Sequence, residues 1–309
     1  MAFTALDVKK LREMTNVGMM DCKAALTATD GDMDKAIDWL REKGLAKAAK
    51  KADRIAAEGV AYATVVNGTG VVIEVNSETD FAAKTDSFLD LVKNLAVVVA
   101  EQNPADVEAL KACTYPNSNL TVTEIMQEKV MSIGENMQIR RFARFAENTS
   151  VAYVHAGGTH GVLVNLAVEG DIDATEIGKN VAMQIAAMGA KYWDKSLVPQ
   201  AEVDKEMSMQ LALMDNDPKM AGKPAQVKEK IAQGKIAAFF KDICLLLQEF
   251  VRADLFKGDV AGYIADAAKK LGGKVTFVDA LHYIKGEGIE KKEENFADEV
   301  AAQIAGAKK

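Results

Sequence analysis

An internal repeat limits the possible folds of this chain more than any other feature of its sequence. The segment VAY at 60–62 recurs 91 residues later at 151–153, and GVV at 70–72 recurs at the same offset as GVL at 161–163. Self-similarity at a fixed offset indicates that one supersecondary unit has been used twice. The chain is therefore expected to contain two related subdomains.

Each copy of the repeat has the pattern of a β-hairpin followed by a helix. In both copies, two strand-like stretches flank a glycine-containing turn, NGTG at 67–70 and GGTHG at 157–161. Apolar residues at helical spacing follow each hairpin. They are Phe88, Leu91, Val92 and Leu95 in the first copy and Ile177, Val181, Ile185 and Met188 in the second. We therefore predict an α+β protein with a duplicated ββα-type core.

The N-terminal segment, residues 1–56, has three short helical patterns typical of a small bundle. Leu6, Leu11 and Met14 give the first helix an apolar face. Asp21 is placed to cap the second helix, because a side-chain carboxylate at a helix start accepts from free backbone N–H groups. Three-helix modules of this kind resemble ubiquitin-associated domains, whose common theme is binding.

The third helix of this segment has its own start and stop signals. Asp32 can cap it, and Gly44 is expected to end it. Its apolar face consists of Met33, Ile37 and Leu40. A basic run follows on a helical tether and is interpreted as a solvated face, made of Lys47, Lys50, Lys51 and Arg54.

Two methionines, Met19 and Met20, lie between the first and second helical patterns. In one interpretation they complete the core of the small bundle. In the other they form an exposed patch for a partner, since methionine repacks easily against different surfaces. The sequence leaves both interpretations open.

The segment TDF at 79–81 lies where a predicted strand gives way to a predicted helix. The strand covers 71–75, and the helix covers 86–100. The second copy of the repeat has GDI at 170–172 in this place, so the aromatic residue occurs in one copy only. The difference favours a dedicated role for Phe81 at the surface, and burial in its own subdomain is the alternative.

The segment between the two copies, 128–145, changes from a helical to an alternating pattern at Gly134. The adjacent residues Arg140 and Arg141 follow. Such a pair can contact phosphate, but it is more commonly part of a solvated or salt-bridged edge. The sequence does not choose between these roles.

Two helical patterns at about 200–250 predict an antiparallel hairpin that projects from the second subdomain. The turn is the DNDPKMAGKP segment at 215–224. Apolar seams run along both helices, with Val203, Met207, Leu211 and Met214 in the first and Val227, Ile231 and Ile236 in the second. We interpret the hairpin as an interaction arm. A strand at 274–284 and an amphipathic helix with Phe296, Val300 and Ile304 complete the chain.

Motif content favours a binding protein over an enzyme. The sequence contains no P-loop, GxSxG, HExxH or CxxC motif. Its three histidines and three cysteines are scattered, so neither a nucleophile with its base nor a metal site can be assembled from them. We expect no enzymatic activity, no cofactor and no direct nucleotide binding. A net charge of −7 argues against generic nucleic-acid binding.

The location expected from the sequence is the cytoplasm. No window approaches the eighteen or so uninterrupted apolar residues of a membrane span, and the first residues lack a signal-peptide pattern. Cys22, Cys113 and Cys244 are far apart, so we expect buried free thiols rather than a disulfide framework.

Six motifs, in order along the chain, resemble those of the elongation factor Ts family. They are LREMTNVGMMDCKAAL, NSETDFAAK, IGENMQIRR, HAGGTHGVLV, GKPAQVKEKIAQGKIAAFFKDICLLLQEFV and GEGIEKKEENFADEVAAQ. The resemblance spans essentially all 309 residues. It implies a guanine-nucleotide exchange factor of bacterial-type translation elongation.

The resemblance, together with the patterns above, implies four regions. Residues 1–56 are expected to form the ubiquitin-associated-like module and tether, and 57–146 core subdomain N. Residues 147–285 are expected to form core subdomain C with the inserted hairpin at about 200–250, and 286–309 a C-terminal helical module.

The partner implied by the resemblance is the GTPase elongation factor Tu. Asp80 and Phe81, with Thr79 and Ala82 beside them, would insert between helices of its nucleotide domain, near the magnesium ion and switch region. The segment 133–136 would line the same contact through Ile133, Gly134, Glu135 and Asn136.

Further contacts implied by the resemblance lie on other parts of the chain. His155 would meet the partner near the first contact. Arg12, Met19, Met20 and Lys23, with the C-terminal helix, would hold another face of the nucleotide domain. Core subdomain C would meet a second face of the partner. No membrane and no specific nucleic acid are implied as partners.

Two other functions remain as alternatives from the sequence. The N-terminal module alone favours an adaptor for a ubiquitin-like protein. The basic tether and the Arg140–Arg141 pair favour an RNA-binding translation accessory protein, whose RNA affinity would depend steeply on salt.

Overall fold

The computed structural model describes residues 3–15, 17–220 and 222–290. In this part of the chain, helices accompany two small antiparallel sheets, as expected for an α+β protein. The predicted last helix, with Phe296, Val300 and Ile304, lies outside the described residues. Among the described residues, every helix is too short or too polar to span a bilayer.

Three helices form the N-terminal module: α1 (Ala5–Thr15), α2 (Met19–Ala28) and α3 (Met33–Lys51). Asp32 caps α3 as predicted, because its Oδ1 accepts the Lys35 N–H at 3.1 Å. The core of the module is built from Val8, Leu11, Val17, Cys22, Ala25, Leu26, Ala36 and Leu40.

One sequence prediction for each of the first two helices is wrong. Leu6 and Met14 are 75% and 54% exposed, and Val8 lies in the core with Leu11 instead. Val8 and Leu11 are three residues apart and share a helix face, whereas Leu6 is displaced from Leu11 by about 140° around the axis. Asp21 does not cap α2, because that helix already begins at Met19 and places Asp21 within its first turn.

Subdomain N consists of an antiparallel sheet and four helices. The strands are β1 (Glu58–Val66), β2 (Thr69–Ser77) and β3 (Met137–Phe145), in the order β1-β2-β3. The helices are α4 (Asp80–Ala83), α5 (Asp86–Gln102), α6 (Val107–Ala112) and α7 (Val122–Ile133). Asn67 and Gly68 join β1 to β2 with φ of 49° and 84°, the left-handed conformation required by a tight two-residue hairpin turn.

Subdomain C repeats this plan. Its sheet has the order β4-β5-β6, with strands β4 (Thr149–His155), β5 (His160–Glu169) and β6 (Lys274–Ile284). Its helices are α8 (Thr175–Met188), α9 (Gln200–Asp215), α10 (Ala225–Ile243) and α11 (Val260–Lys270). The predicted duplication is confirmed, and each copy has a third strand that pairs with the second strand of its hairpin.

Strand alternation explains how the two copies pack. In β2, Val71 and Ile73 point towards α5, whereas Val72 points to the opposite face. The equivalent residues of β5 behave alike, since Val162 packs with α8 and Leu163 meets Val72. The two sheets therefore face each other, with helices on both outer sides.

Glycine at one repeat position lets the sheets approach closely. A Cβ on Gly70 would lie 2.5 Å from Ser150 Oγ, and a Cβ on Gly161 would lie 2.9 Å from the backbone of Ala61. Gly70 and Gly161 occupy equivalent positions in the repeat. Both copies therefore have glycine where the two sheets come into contact.

Gly44 does not end α3, contrary to the sequence prediction, and the helix continues to Lys51. At Gly44, α3 crosses α7, and an added Cβ would lie 3.4 Å from Met131 Sδ. Arg41 Nε also meets Glu128 Oε1 across this contact at 3.2 Å. The glycine thus serves helix packing, and the predicted tether is the last part of α3.

The helical hairpin is confirmed as α9 and α10, and its first seam ends at the buried Met214. Two apolar residues assigned to predicted helix faces are exposed. Val227 near the start of α10 is 39% exposed, and Met188 at the end of α8 is 60% exposed. Both residues lie in the terminal turn of their helix.

A buried carboxylate accounts for the arginine pair. Glu74 is fully buried and accepts from Arg140 Nη1 at 2.9 Å, Arg141 Nε at 2.7 Å and the Gly286 N–H at 2.8 Å. Burial alone raises the pKa of Glu74, but the hydrogen bonds from Gly286, Arg140 and Arg141 outweigh it and hold that pKa below its usual value. The two arginines are therefore a salt-bridged edge.

Candidate functional site

The TDF corner, which we define as residues 79–85, is a single helical turn held by two threonines. Thr79 Oγ1 accepts the Ala82 N–H at 3.2 Å and caps α4. Thr85 Oγ1 donates to the Ala82 carbonyl at 2.8 Å and accepts the Phe88 N–H at 3.3 Å, which caps α5. The strand end and the following helix thus fix the turn from both sides.

The corner separates small buried side chains from one large exposed ring. Ala82 and Ala83 are each 5% exposed, and Ala83 packs into the core with residues of β2 and α5. Phe81 is 80% exposed. The alternative that Phe81 belongs to the core of its own subdomain is therefore wrong, and the chain presents an aromatic ring to the solvent from a capped turn.

Asp80 lies beside Phe81 and is paired within the corner. Its Oδ2 accepts from Lys84 Nζ at 2.6 Å, at the i,i+4 spacing of neighbours on a helix face. The hydrogen bond from Lys84 holds the pKa of Asp80 below its usual value, and the positive charge of Lys285 contributes in the same direction. Asp80 is therefore negatively charged at neutral pH, next to the exposed ring and paired with the positive charge of Lys84.

Two loops are joined by reciprocal carboxylate contacts. Glu135 Oε2 accepts the Thr79 N–H at 2.9 Å, and its Oε1 accepts from Thr79 Oγ1 at 2.6 Å. In return, Glu78 Oε1 accepts the Asn136 N–H at 2.6 Å. The end of α7 and the start of the corner thus form one unit, although 56 residues separate Thr79 from Glu135.

The end of α7 borders an open groove next to the exposed ring. Gly134 ends the helix with φ of 87°, a left-handed conformation that favours glycine. The groove is lined by Phe81, Ala82, Thr85, Ser87, Ser132, Ile133 and Glu135. The structure therefore brings together the predicted residues of the corner and those of the 133–136 segment.

The end of α3 is tied to the same loops. Lys51 Nζ donates to the Gly134 carbonyl, and Asn136 Nδ2 donates to the Arg54 carbonyl at 2.8 Å. Arg54 Nη1 also meets Glu78 Oε2 at 3.4 Å. Part of the predicted solvated basic run therefore holds the loops of the corner.

His155 lies at the exposed end of β4, with its Nδ1 2.9 Å from the Tyr153 hydroxyl. His160 follows across the turn, and its Nδ1 lies 2.9 Å from His282 Nε2. Burial, and then the neighbouring His155, lower the pKa of His160. The backbone N–H of Lys285 donates to the Thr159 carbonyl at 2.9 Å in this turn. Lys285 is also the residue whose charge acts on Asp80.

The predicted contacts of the N-terminal module lie on its surface. Met19 is 53% exposed and Met20 is 75% exposed, so the interpretation that they complete the module core is wrong. Lys23 on α2 and Arg12 at the end of α1 are also exposed. These four residues lie on α1 and α2, separate from the TDF corner in the chain.

Several supporting residues were missed by the sequence analysis. The Asp80–Lys84 pair could have been predicted from the sequence, since opposite charges four residues apart interact on a helix. The Glu78–Asn136 and Glu135–Thr79 contacts had no local signal, because each joins residues more than fifty positions apart.

The comparison with known families agrees with this arrangement. The sequence profile described as Elongation factor TS matches residues 78–287, which is 210 of the 309 residues. The match begins one residue before the TDF corner and ends at Glu287, next to the segment that binds Glu74. The chain belongs to the elongation factor Ts family, a family of translation elongation factors.

Proposed function

We propose that this protein is a guanine-nucleotide exchange factor that binds elongation factor Tu and promotes GDP release, so that GTP can bind. The single observation that carries the proposal is Phe81, 80% exposed on a turn whose next two residues are each 5% exposed. Membership of the elongation factor Ts family supports the choice of partner.

Phe81 supplies the binding energy in this proposal. A largely buried phenylalanine contributes roughly 1.5–3 kcal/mol before association costs. The capped turn fixes the backbone at Phe81 before binding, so less conformational entropy is lost when the ring inserts. The ring inserts between helices of the partner's nucleotide domain and stabilises a conformation with weaker magnesium and phosphate contacts. Asp80 brings its negative charge to the same region.

The exchange follows from reciprocal coupling. A factor that weakens GDP binding must itself be weakened by GDP to the same extent. The protein therefore displaces GDP, and the incoming nucleotide displaces the protein. Each ~1.4 kcal/mol removed from the release barrier increases the rate about tenfold. The rate of exchange changes, whereas the partner's own preference between the two nucleotides does not.

Other contacts complete the proposed interface. Ile133, Gly134 and Asn136 border the corner contact, and His155 meets the partner nearby. Arg12, Met19, Met20 and Lys23 hold another part of the nucleotide domain, and core subdomain C meets a second face. We further propose that the protein acts in the cytoplasm as a binding factor without enzymatic activity.

The alternatives have less support. An RNA-binding role rested partly on Arg140 and Arg141, but both side chains are bound to Glu74. An adaptor for a ubiquitin-like protein would use only the N-terminal module. That function would not explain the family match at 78–287.

A nucleotide-release assay tests the proposal. Elongation factor Tu loaded with fluorescent GDP is mixed with excess unlabelled nucleotide, with and without this protein. The proposal predicts release that accelerates with protein concentration and then saturates. A release rate that stays at the level of elongation factor Tu alone would reject it.

A further inference from the structure

We infer that Glu135 is a positioning residue, which fixes the direction of Phe81 by holding Thr79 and does not itself contact the partner. This inference rests on the proposed exchange function, and it revises the contact role that the family resemblance implies for Glu135.

The geometry of the Glu135 carboxylate supports this role. Both of its oxygens accept from Thr79, Oε2 from the N–H at 2.9 Å and Oε1 from the hydroxyl at 2.6 Å. A hydroxyl has one hydrogen to donate, and here Glu135 receives it. The lone pairs of Thr79 Oγ1 are then free to accept the Ala82 N–H, the contact that caps α4. Glu135 therefore determines the orientation of the cap.

The cap matters because α4 has only four residues, Asp80–Ala83. A single helical turn is not stable on its own, since nucleation fixes several dihedral angles for one hydrogen bond. Its direction must come from its anchors. Ala83 anchors one side in the core, and Thr79 anchors the start through the Ala82 N–H. Phe81 extends from the other side of this turn.

Glu135 is itself held in place. Gly134 turns the chain at the end of α7 with φ of 87°, and Lys51 Nζ donates to its carbonyl. On the other side, the Asn136 N–H is bound by Glu78, and Asn136 Nδ2 donates to the Arg54 carbonyl. The carboxylate is thus presented to Thr79 by a fixed loop.

A positioning residue has a distinctive kinetic effect. Without Glu135, the corner samples several directions, and the fraction of molecules able to bind the partner falls. Apparent affinity falls by that fraction, whereas the bound complex is unchanged. Glu135→Ala should therefore raise the half-saturating protein concentration about five- to tenfold and leave the saturating release rate within about twofold. Phe81→Ala should instead lower the saturating rate.

The experiment measures GDP release from elongation factor Tu over a range of protein concentrations. The variants are Glu135→Ala, Glu135→Gln, Thr79→Ser and Phe81→Ala, with Glu101→Ala at the exposed end of α5 as the matched control. Thr79→Ser keeps both donors and should behave like the unaltered protein. Glu135→Gln keeps acceptor oxygen but loses the charge, and its effect should lie between those of the unaltered protein and Glu135→Ala.

Amide hydrogen exchange provides a readout that does not depend on the partner. Glu135→Ala should speed exchange at the Thr79 and Ala82 amides at least about tenfold, with thermal unfolding close to that of Glu101→Ala. If Glu135→Ala does not fold, the same comparison is made with Glu135→Gln, for which faster exchange at Thr79 is also expected.

The outcomes separate this inference from the proposed function. A lower saturating rate for Glu135→Ala at unchanged half-saturation would make it a contact in the complex and overturn the inference. If Glu135→Ala has unchanged kinetics and Phe81→Ala releases GDP more slowly, the inference is overturned but the exchange function is left intact. If the unaltered protein does not accelerate release, the function fails, and unchanged Thr79 amide exchange would then overturn the positioning role independently.

Discussion

Phe81 and Ala83 are two positions apart in the chain and lie on opposite sides of one helical turn, with the ring 80% exposed and the methyl group 5% exposed. The contrast arises because Ala83 packs into the core with residues of β2 and α5, while Thr79 holds the start of the turn through the Ala82 N–H. A surface that leaves an aromatic ring unburied loses the stabilisation that burial would contribute. This arrangement is expected where the ring is buried by a partner instead.

Replacing Asp80 should affect exchange less than replacing Phe81. Asp80→Asn removes the charge and weakens the contact with Lys84, but it leaves Phe81 and both threonine caps in place. We expect GDP release to slow by less than about tenfold, because an exposed ion pair is weak and the ring is unchanged. Stopped-flow release at saturating protein checks this. A loss greater than that of Phe81→Ala would show that the charge, and not the ring, dominates.

An exposed methionine of the N-terminal module should contribute to affinity and not to folding. Met20→Ser should raise the half-saturating protein concentration several-fold, because its side chain is 75% exposed in the free protein and is proposed to be buried by the partner. Leu6→Ser is a matched control, since Leu6 is equally exposed and lies outside the proposed contacts. Thermal unfolding of both variants should be close to that of the unaltered protein. Equal affinities of Met20→Ser and Leu6→Ser for the partner would show that Met20 is not part of the interface.

The buried carboxylate Glu74 should be a major source of stability between the subdomains. Glu74→Ala leaves the Gly286 N–H, Arg140 Nη1 and Arg141 Nε without their acceptor, and we expect a loss of about 2–4 kcal/mol in the free energy of unfolding. Glu287→Ala removes a half-exposed partner of Arg141 and should cost under about 1 kcal/mol. Chemical denaturation of both variants measures the difference. Equal losses would show that burial does not strengthen the Glu74 contacts.

The same carboxylate predicts a dependence of stability on pH. The folded protein holds the pKa of Glu74 below its ordinary value of 4.5. Its contribution is therefore complete above that ordinary value and is lost as the pH falls through the lowered pKa of the folded state. Denaturation curves of the unaltered protein and Glu74→Gln should converge in this acidic range. A constant difference down to pH 2 or so would contradict the assignment.

The glycines of the repeat explain both what the sequence predicted and what it did not. The offset between Gly70 and Gly161 revealed the duplication, because the sheets need the same small residue at equivalent positions. Gly44 was misread as a helix end, because a glycine that serves a helix crossing has the same local signature as one that ends a helix. The exposed position of Phe81 was predicted as one of two possibilities from a difference between the copies.

Contacts between distant residues were beyond the sequence. Glu74 lies in a strand pattern that gives no sign of its two arginines or of Gly286, which is 212 residues away. The pairing of Glu135 with Thr79 likewise depends on how the end of α7 meets the corner. Local patterns specify helices, strands and turns, but which side chains meet is decided by the packing of elements against one another.

The close approach of the two sheets should make Gly70 intolerant of a side chain. In Gly70→Ala the new methyl group would lie 2.5 Å from Ser150 Oγ and 2.8 Å from Leu163 Cδ1, so these side chains or the sheets that carry them must shift. We expect a loss of about 1–3 kcal/mol in the free energy of unfolding. Gly234→Ala is the control, because a Cβ added there has no atom of the described residues within 4 Å. This substitution should stabilise α10 by about 0.5–1 kcal/mol. Stabilisation by Gly70→Ala would mean that the sheets are not in close contact.

The central claim is that the exposed ring of Phe81 accelerates nucleotide release from elongation factor Tu, and GDP release catalysed by Phe81→Ala tests it most directly. The control is Val65→Ala, which shortens an exposed apolar side chain on β1, 40% accessible and outside the proposed contacts. The account predicts that Phe81→Ala lowers the saturating release rate by roughly 10- to 100-fold, while Val65→Ala does not alter it. Saturating release by Phe81→Ala at the unaltered rate, with its fold verified by circular dichroism, would contradict the account.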